Sequence, residues 1–134
     1  MKKDKAYFDA LTEQVIGSAY KVANNLGYGF LEKVYENALR LELVKSGLDV
    51  KQQKPINVVY CDEVVGEFVA DLFIDNELII ELKSVRTIDG AHIAQCLNYL
   101  KATRKSLGLV INFGEQNVQV KRVVNEFKPT AKSA

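Results

Sequence analysis

The chain has 134 residues, of which 48% are hydrophobic and 26% charged, a composition that fits one soluble globular domain with its own core. Its cysteines, Cys61 and Cys96, lack a CxxC spacing and it has one histidine, so any bound metal must rely on oxygen ligands. A formal net charge of +1 gives no sign of the extended basic surface that general duplex-binding proteins carry.

The sequence shows no targeting or membrane segment. The opening, MKKDKAYFDALTEQ, is basic but has no apolar run behind it. No other segment approaches the roughly 18 consecutive apolar residues of a membrane span. The sequence therefore predicts a cytoplasmic protein with no membrane partner.

Two helices are predicted first. A helical period of apolar residues runs from about Asp4 to Leu26, with Asp4 as the cap and Gly27 as the stop; its members are Phe8, Leu11, Val15, Ala19, Val22 and Leu26. A second helix is predicted over about Leu31 to Ser46, ended by Gly47. Lys54-Pro55 then breaks the chain, and the composition becomes rich in β-branched residues.

Five strands and one further helix follow, because alternating or continuous apolar runs are separated by turn residues. The predicted strands are Ile56–Tyr60, Val64–Ile74, Leu78–Val85, Leu107–Phe113 and Asn117–Val124, with a helix over about Gly90–Thr103. The order ααβββαββ predicts an α/β (mixed α+β) fold, with a mixed β-sheet flanked by helices and a parallel pair across the crossover. One domain is expected over residues 1–127, with a disordered tail at 128–134.

Two acidic residues stand in otherwise apolar strands. Glu81 and Lys83 share a strand face, where burying charge is costly, although Glu-x-Lys is also common as an exposed pair at a strand end. Asp71 faces Glu81 if Ile74 pairs with Leu78, which leaves a three-residue hairpin loop of an ordinary kind. Two adjacent carboxylates repel unless a cation lies between them, so this register predicts a divalent metal ion bound by oxygen.

The second helix carries a further acidic residue on its predicted buried side. Glu32 lies at the helix start, in line with Leu39 and Leu43, so we expect its side chain to face inward. The dipole of the helix favours its anionic form there. The polar face of this helix is predicted to comprise Lys33, Glu36, Asn37 and Arg40.

The third helix carries a stripe of hydrogen-bonding side chains. Its buried arc is defined by Ile93, Cys96, Leu97 and Leu100, and its outward positions are Ala94, Asn98 and Lys101. His92, Gln95 and Tyr99 lie within or beside the buried arc, so they need partners in the sheet. A single histidine in this position is more often a hydrogen-bonded structural residue than a metal ligand.

These residues together resemble a known protein family. Gly29-Phe30-Leu31-Glu32-Lys33-Val34-Tyr35 fits the GxxExxY signature of a family of small bacterial proteins within the PD-(D/E)xK nuclease superfamily. Asp71, Glu81-x-Lys83 and Gln95-x-x-x-Tyr99 follow in the order of that superfamily, and the last element resembles its exonuclease branch. One departure is Ala70, which stands where the signature has proline.

The resemblance implies a restriction-endonuclease-like fold and a Mg²⁺- or Mn²⁺-dependent nuclease. By similarity, the metal ligands are Asp71, Glu81, the carbonyl of Leu82, and Glu32 on or near the ion. Lys83 is expected to orient the attacking water and to stabilise transition-state charge, with Gln95 and Tyr99 positioning the lysine or a phosphate. A homodimer is left open, because many proteins of this fold work as dimers.

Three functions fit these residues. The first is hydrolysis of DNA or RNA phosphodiesters; the second is a non-catalytic nucleic-acid or protein interaction module on the same fold; the third is hydrolysis of another phosphate ester. Lys101, Arg104 and Lys105 form a small basic cluster that is either surface charge or a contact for a nucleic-acid backbone. Metal-dependent cleavage separates the first function from the second, and a substrate panel separates the first from the third.

Overall fold

The structure, a computed structural model, describes residues 3–126 and begins with two helices. Helix α1 spans Lys5–Leu26, and the Asp4 side chain caps it by accepting a hydrogen bond from the Tyr7 amide, as predicted. The helix ends at Gly27, whose φ of 76° is a conformation that other residues adopt rarely. Helix α2 spans Glu32–Lys45.

Five strands form one mixed sheet whose spatial order equals the chain order. Neighbouring strands are antiparallel except β3 and β4, which are parallel and are joined by helix α3, Gly90–Thr103. The strands are β1 (Val50–Tyr60), β2 (Glu63–Ile74), β3 (Leu78–Lys83), β4 (Leu107–Asn112) and β5 (Gln119–Val124). This arrangement confirms the predicted fold class and the order ααβββαββ.

Strand β1 differs most from its prediction. It begins at Val50, well before the predicted start at Ile56, and it contains Pro55, which is paired with Val69 instead of breaking the strand. Because β1 is an edge strand, a residue without an N–H can be accommodated on its open side without loss to the sheet.

Helices cover both faces of the sheet. Helices α1 and α2 pack on one face, and their apolar side chains meet those of Leu72, Ile80 and Leu109. Helix α3 packs on the other face through Cys96, Tyr99 and Leu100. All six residues of β4 are buried, as expected of a central strand covered on both sides.

Close packing of α3 fixes its height above the sheet. A Cβ atom at Gly108 of β4 would lie 2.7 Å from the Cys96 sulfur, which is too close for a real contact, so glycine is required beneath this helix. Tyr99 and Leu100, which follow Cys96 on α3, pack in the same buried cluster as Ile79 of β3.

The predicted tail, 128–134, lies outside the described residues. Within residues 3–126, no helix combines the length and the apolar character needed to cross a membrane.

Candidate active site

Asp71 and Glu81 lie where strands β2 and β3 separate. The register pairs Ile74 with Leu78 and Leu72 with Ile80, which confirms the predicted hairpin alignment. At the next position, the Asp71 amide donates a hydrogen bond to the Glu81 carboxylate at 2.9 Å, and the Leu82 amide donates one to the Asp71 carboxylate at 2.7 Å. Side chains thus replace main-chain acceptors there, and the two carboxylates are held against each other.

Strand β1, which lies on the other side of β2, is also irregular next to Asp71. In strand β1, Gln52 pairs with Leu72 and Lys54 pairs with Ala70, but Gln53 between them has a φ of 57° and no strand partner. The alternation of side chains along β2 is also broken at this point. Ala70 packs beneath α3, whereas regular alternation would place it on the same face as Leu72, beneath α1 and α2. The sheet is therefore interrupted on both sides of Asp71.

Burial makes the negative charge of this pair costly. It raises the pKa of Glu81 to about 8, and the neighbouring Asp71 carboxylate adds to that rise. The pKa of Asp71 is raised mainly by burial, and the hydrogen bond from Leu82 opposes the shift. Both carboxylates are therefore stabilised either by taking up a proton or by binding a cation.

Lys83 is the cation nearest to the pair along β3. It lies close enough to lower the pKa of both Asp71 and Glu81. Within residues 3–126, however, neither carboxylate forms an ion pair at 4.0 Å or less. The lysine therefore offsets part of the negative charge without pairing directly with either carboxylate.

Glu32 is not buried, which corrects its predicted inward position, although Leu39 and Leu43 of the same helix are buried as predicted. Its side chain is exposed, whereas Glu36, predicted on the polar face, is 3% exposed. Helical periodicity could not show the reason, because two of the partners belong to β1. Gln52 and Gln53 donate hydrogen bonds to the Glu36 carboxylate, as does Lys33 of the same helix. Glu32 still borders the site, since its charge raises the pKa of both Asp71 and Glu81.

Glu36 and Gln53 are site residues that the sequence did not single out. The Gln53 side chain donates to both oxygens of Glu36, at 3.0 and 3.1 Å, and so connects the irregular residue of β1 to helix α2. Glu36 in turn is close enough to raise the pKa of Asp71. The pair joins α2 to the interruption of the sheet.

Gln95 and Tyr99 approach the site from α3. Tyr99 is 6% exposed, and the exposed Gln95 amide donates a hydrogen bond to its hydroxyl at 2.9 Å. Burial raises the pKa of Tyr99, and the Glu81 and Asp71 carboxylates raise it further. These two residues therefore stand beside the carboxylate pair, on the face opposite α2.

His92 has a structural role. Its ring accepts a hydrogen bond from the Asp89 amide, and the Asp89 side chain accepts from the His92 amide, a capping box at the start of α3. Its ring Nδ1 and its backbone amide thus hold the helix terminus.

Residues of the GxxExxY segment hold the start of α2 over the end of β3. The buried Tyr35 hydroxyl donates to the Gly27 carbonyl at 2.7 Å and accepts from the Phe30 amide at 3.1 Å. The Ser84 hydroxyl donates to the Phe30 carbonyl at 2.7 Å, so the residue that follows β3 is joined to the loop before Glu32. Stacking of Tyr35 on Phe113, with 4.5 Å between ring centroids, fixes the ring.

Asn112 is a buried polar residue at the end of the apolar strand β4. Its side-chain amide donates to the Val85 carbonyl and accepts from the Val85 amide, at 2.9 and 3.0 Å. It therefore fixes the segment that follows Lys83. A signal was present in the sequence, since asparagine interrupts an apolar run there.

The donor set fits a hard divalent cation by its chemistry. Buried Glu81 and half-buried Asp71, neither with an ion-pair partner among residues 3–126, provide the oxygen ligands that Mg²⁺ and Mn²⁺ prefer. Across residues 3–126, no three side chains of His, Cys, Asp or Glu are grouped closely enough to form a complete metal site. The predicted convergence of Glu32, Asp71 and Glu81 on a metal ion thus stays a prediction.

Comparison with known proteins places the chain in a family. The sequence model described as the PD-(D/E)XK nuclease superfamily matches residues 9–123. The chain belongs to the PD-(D/E)XK nuclease superfamily. The matched range contains Asp71, Glu81, Lys83, Gln95 and Tyr99, and this membership confirms the superfamily that the sequence resembled.

A solved structure supports the same fold. The structure titled "Crystal structure of SSO0001" aligns with a TM-score of 0.55 at 17% sequence identity, covering 92% of this chain and 62% of that one. The PD-(D/E)XK chain described here thus spans less than two thirds of the length of that protein. Comparison with curated protein sequences gave no match.

Proposed function

We propose that the protein is a Mg²⁺- or Mn²⁺-dependent nuclease that hydrolyses phosphodiester bonds of DNA or RNA at the Asp71–Glu81 pair. The observation that carries this proposal is the position of two carboxylates at the interruption between β2 and β3. Glu81 is buried, Asp71 is half-buried, and neither has an ion-pair partner among residues 3–126. A stable fold has no need to hold two such groups together, since burial without a counter-charge is costly. Membership of a nuclease superfamily supports this proposal.

Asp71, Glu81 and the Leu82 carbonyl are the proposed metal ligands, with Glu32 reaching in from the exposed start of α2. The exposure of Glu32 leaves its side chain free to change rotamer, whereas Asp71 and Glu81 are fixed by backbone hydrogen bonds. A bound Mg²⁺ or Mn²⁺ would polarise the scissile phosphate and lower the pKa of a water molecule to make it nucleophilic.

Lys83 is the proposed catalytic cation. It shares the β3 face of Glu81, so its ammonium group can hold the attacking water and stabilise negative charge that develops on the phosphate. The Tyr99 hydroxyl, oriented by Gln95, is the proposed hydrogen-bond donor to a phosphate oxygen on the α3 side. Glu36 is a positioning residue, because it acts on the site through Gln53.

Cleavage assays with matched variants test this function. The protein is incubated with Mn²⁺ and labelled single- and double-stranded DNA and RNA, and parallel samples contain EDTA. We expect Mn²⁺-dependent cleavage that falls by about 10²–10³-fold or more in Asp71→Asn and Lys83→Ala, the range typical for loss of one transition-state contact. Lys45→Ala, an exposed lysine at the end of α2, is the matched control and should retain activity.

Absence of cleavage on every substrate would contradict the proposal and favour the non-catalytic interaction module. Cleavage that survives Asp71→Asn would also contradict it, because the carboxylate pair would then be dispensable. Cleavage of small phosphate esters alone would indicate a hydrolase of phosphate esters other than nucleic acids.

A further inference from the structure

A large groove lies on the α3 side of the sheet, where Gln95 and Tyr99 form part of its lining. Its volume is about 1180 Å³, and its walls come from helix α3 and from the outer part of the β1–β2 hairpin. Small-molecule sites usually have volumes of about 300–1,000 Å³, so this groove suits a longer ligand. We call it the α3 groove; the lining residues used below are Phe68, Gln95, Asn98, Tyr99, Lys101 and Arg104.

The charge of the α3 groove is entirely positive. Lys101 and Arg104 line it, and no aspartate or glutamate does. Within residues 3–126, neither of these cations forms an ion pair. Lys105, which the sequence grouped with them, lies instead over the Phe73 ring, with its nitrogen 5.9 Å from the ring centroid. The groove therefore offers two unpaired cations to a negatively charged ligand.

The remaining lining suits the bases of a nucleic acid. Phe68 is 45% exposed, and its ring lies 5.8 Å from that of Tyr99. Asn98 and Gln95 add amide groups that both donate and accept hydrogen bonds. Aromatic faces beside cations are how proteins bind single-stranded nucleic acid, because every base has a face that stacks.

The groove shares two residues with the proposed active site. Gln95 and Tyr99 line it, and Tyr99 packs in the same buried cluster as Ala70, the residue before Asp71. A strand lying in the groove would thus present its backbone to the carboxylate pair. A duplex would need an extended basic surface, and a chain with a net charge of +1 does not provide one.

From this geometry we infer that the α3 groove binds a single-stranded segment of nucleic acid, with Lys101 and Arg104 on the phosphates and Phe68 against the bases. This inference rests on the proposed function, since it names the substrate class of the same site. Its test is separate from that of the proposed nuclease function, because binding in the groove requires neither a metal ion nor cleavage.

Fluorescence anisotropy tests the inference with a labelled single strand of about 15 nucleotides, which fits the site sizes of about 4–16 nucleotides known for single-strand binders. A duplex of the same sequence is measured beside it, in calcium and in EDTA, so that binding is separated from catalysis. The groove variant is Lys101→Gln combined with Arg104→Asn; asparagine suits position 104 because its φ is 59°. The control, Lys45→Gln with Lys121→Gln, removes the same charge from exposed positions outside the groove.

We expect the single strand to bind at least tenfold more tightly than the duplex under both conditions. The groove variant should lower the salt dependence of log K by about 1.4, the value for two phosphate contacts of a single strand. The control should leave the slope and the affinity close to those of the wild-type protein. Melting curves of both variants check that the fold is intact, since cations at the end of α3 also favour the helix.

Equal or tighter binding of the duplex would overturn the inference, as would equal losses in the groove variant and the control. Failure to bind either nucleic acid would overturn it too. Self-association of the free protein that the single strand cannot disrupt would assign the groove to a second copy of the chain. If the single strand binds as expected and the protein cleaves no nucleic acid in Mn²⁺, the inferred binding site is supported and the proposed nuclease function is contradicted.

Discussion

The two halves of strand β3 differ in their pairing and in the charge of their side chains. Leu78, Ile79 and Ile80 are buried and pair with both neighbouring strands. Glu81 and Lys83 pair only with β4, and on the β2 side a carboxylate replaces the main chain as hydrogen-bond acceptor. Apolar pairing in the first half stabilises the fold, whereas the second half gives up that stability to hold charges in place.

The same comparison extends to helices α2 and α3. Each helix packs apolar residues against the regularly paired part of the sheet. Each also supplies a polar residue near the interruption, which is Glu36 from α2 and Tyr99 from α3. A site assembled in this way depends on the surrounding core for its geometry and contributes little to stability itself.

The largest expected effect lies in the apolar region. Leu109→Ala, in the centre of β4, removes a fully buried side chain and should lower the free energy of unfolding by about 2–5 kcal/mol. Urea denaturation measures it. Val124→Ala, at an exposed position of β5, is the control and should stay within about 0.5 kcal/mol of the wild-type protein. A cost below about 1 kcal/mol at Leu109 would contradict the assignment of the core.

The pH dependence of the metal-free protein comes next in size. The pKa of Glu81 is about 8 in the folded protein, above its value of 4.5 when unperturbed, so the folded state binds more protons between these values. Stability should therefore be greatest below pH 4.5, as far as this group is concerned, and fall as pH rises to 8. Glu81→Gln removes the titration and should be more stable than the wild-type protein at pH 8, by roughly 1–3 kcal/mol.

Melting curves in EDTA at pH 5 and pH 8 measure this difference. The advantage of Glu81→Gln should be larger at pH 8 than at pH 5. An advantage that is equal at both values would show that burial of the charge is not the cause. Glu67→Gln, which changes the same charge at an exposed position of β2, is the matched control.

A smaller effect distinguishes the interrupted part of β1 from a regular strand. Gln53 has a φ of 57°, where a β-branched residue is strained and glycine is not. Gln53→Val should thus be less stable than Gln53→Gly by roughly 1–2 kcal/mol. At Lys51, on the regular part of the same strand, valine should be the more stable of the two. Urea denaturation of the four variants checks this inversion, and the same order at both positions would contradict it.

Much of this fold follows from patterns in the sequence. Helical and strand periodicity predicted all eight elements, and the loop after Ile74 predicted the register that brings Asp71 opposite Glu81. These succeed because burial of one face imposes a period on the residues. Pro55 was read as a break because edge position, which permits proline in a strand, depends on the arrangement of the whole sheet.

The site was predictable only in part, for a similar physical reason. Charged residues within apolar runs directed attention to Asp71 and Glu81. Glu36 escaped notice because its burial depends on donors from another element, Gln52 and Gln53 of β1. A periodicity argument treats each helix alone and cannot show partners that only tertiary structure supplies.

The account depends most on the claim that Asp71 and Glu81 are held together to bind a divalent cation, and calorimetric titration with Mn²⁺ tests this most directly. The wild-type protein should bind Mn²⁺ at this site, and Asp71→Asn should abolish that binding. The variant should nevertheless remain as stable as the wild-type protein in EDTA, or slightly more so, because repulsion between the carboxylates is relieved. Unchanged Mn²⁺ binding in Asp71→Asn, or a clear loss of its stability in EDTA, would contradict the claim and make Asp71 a structural residue.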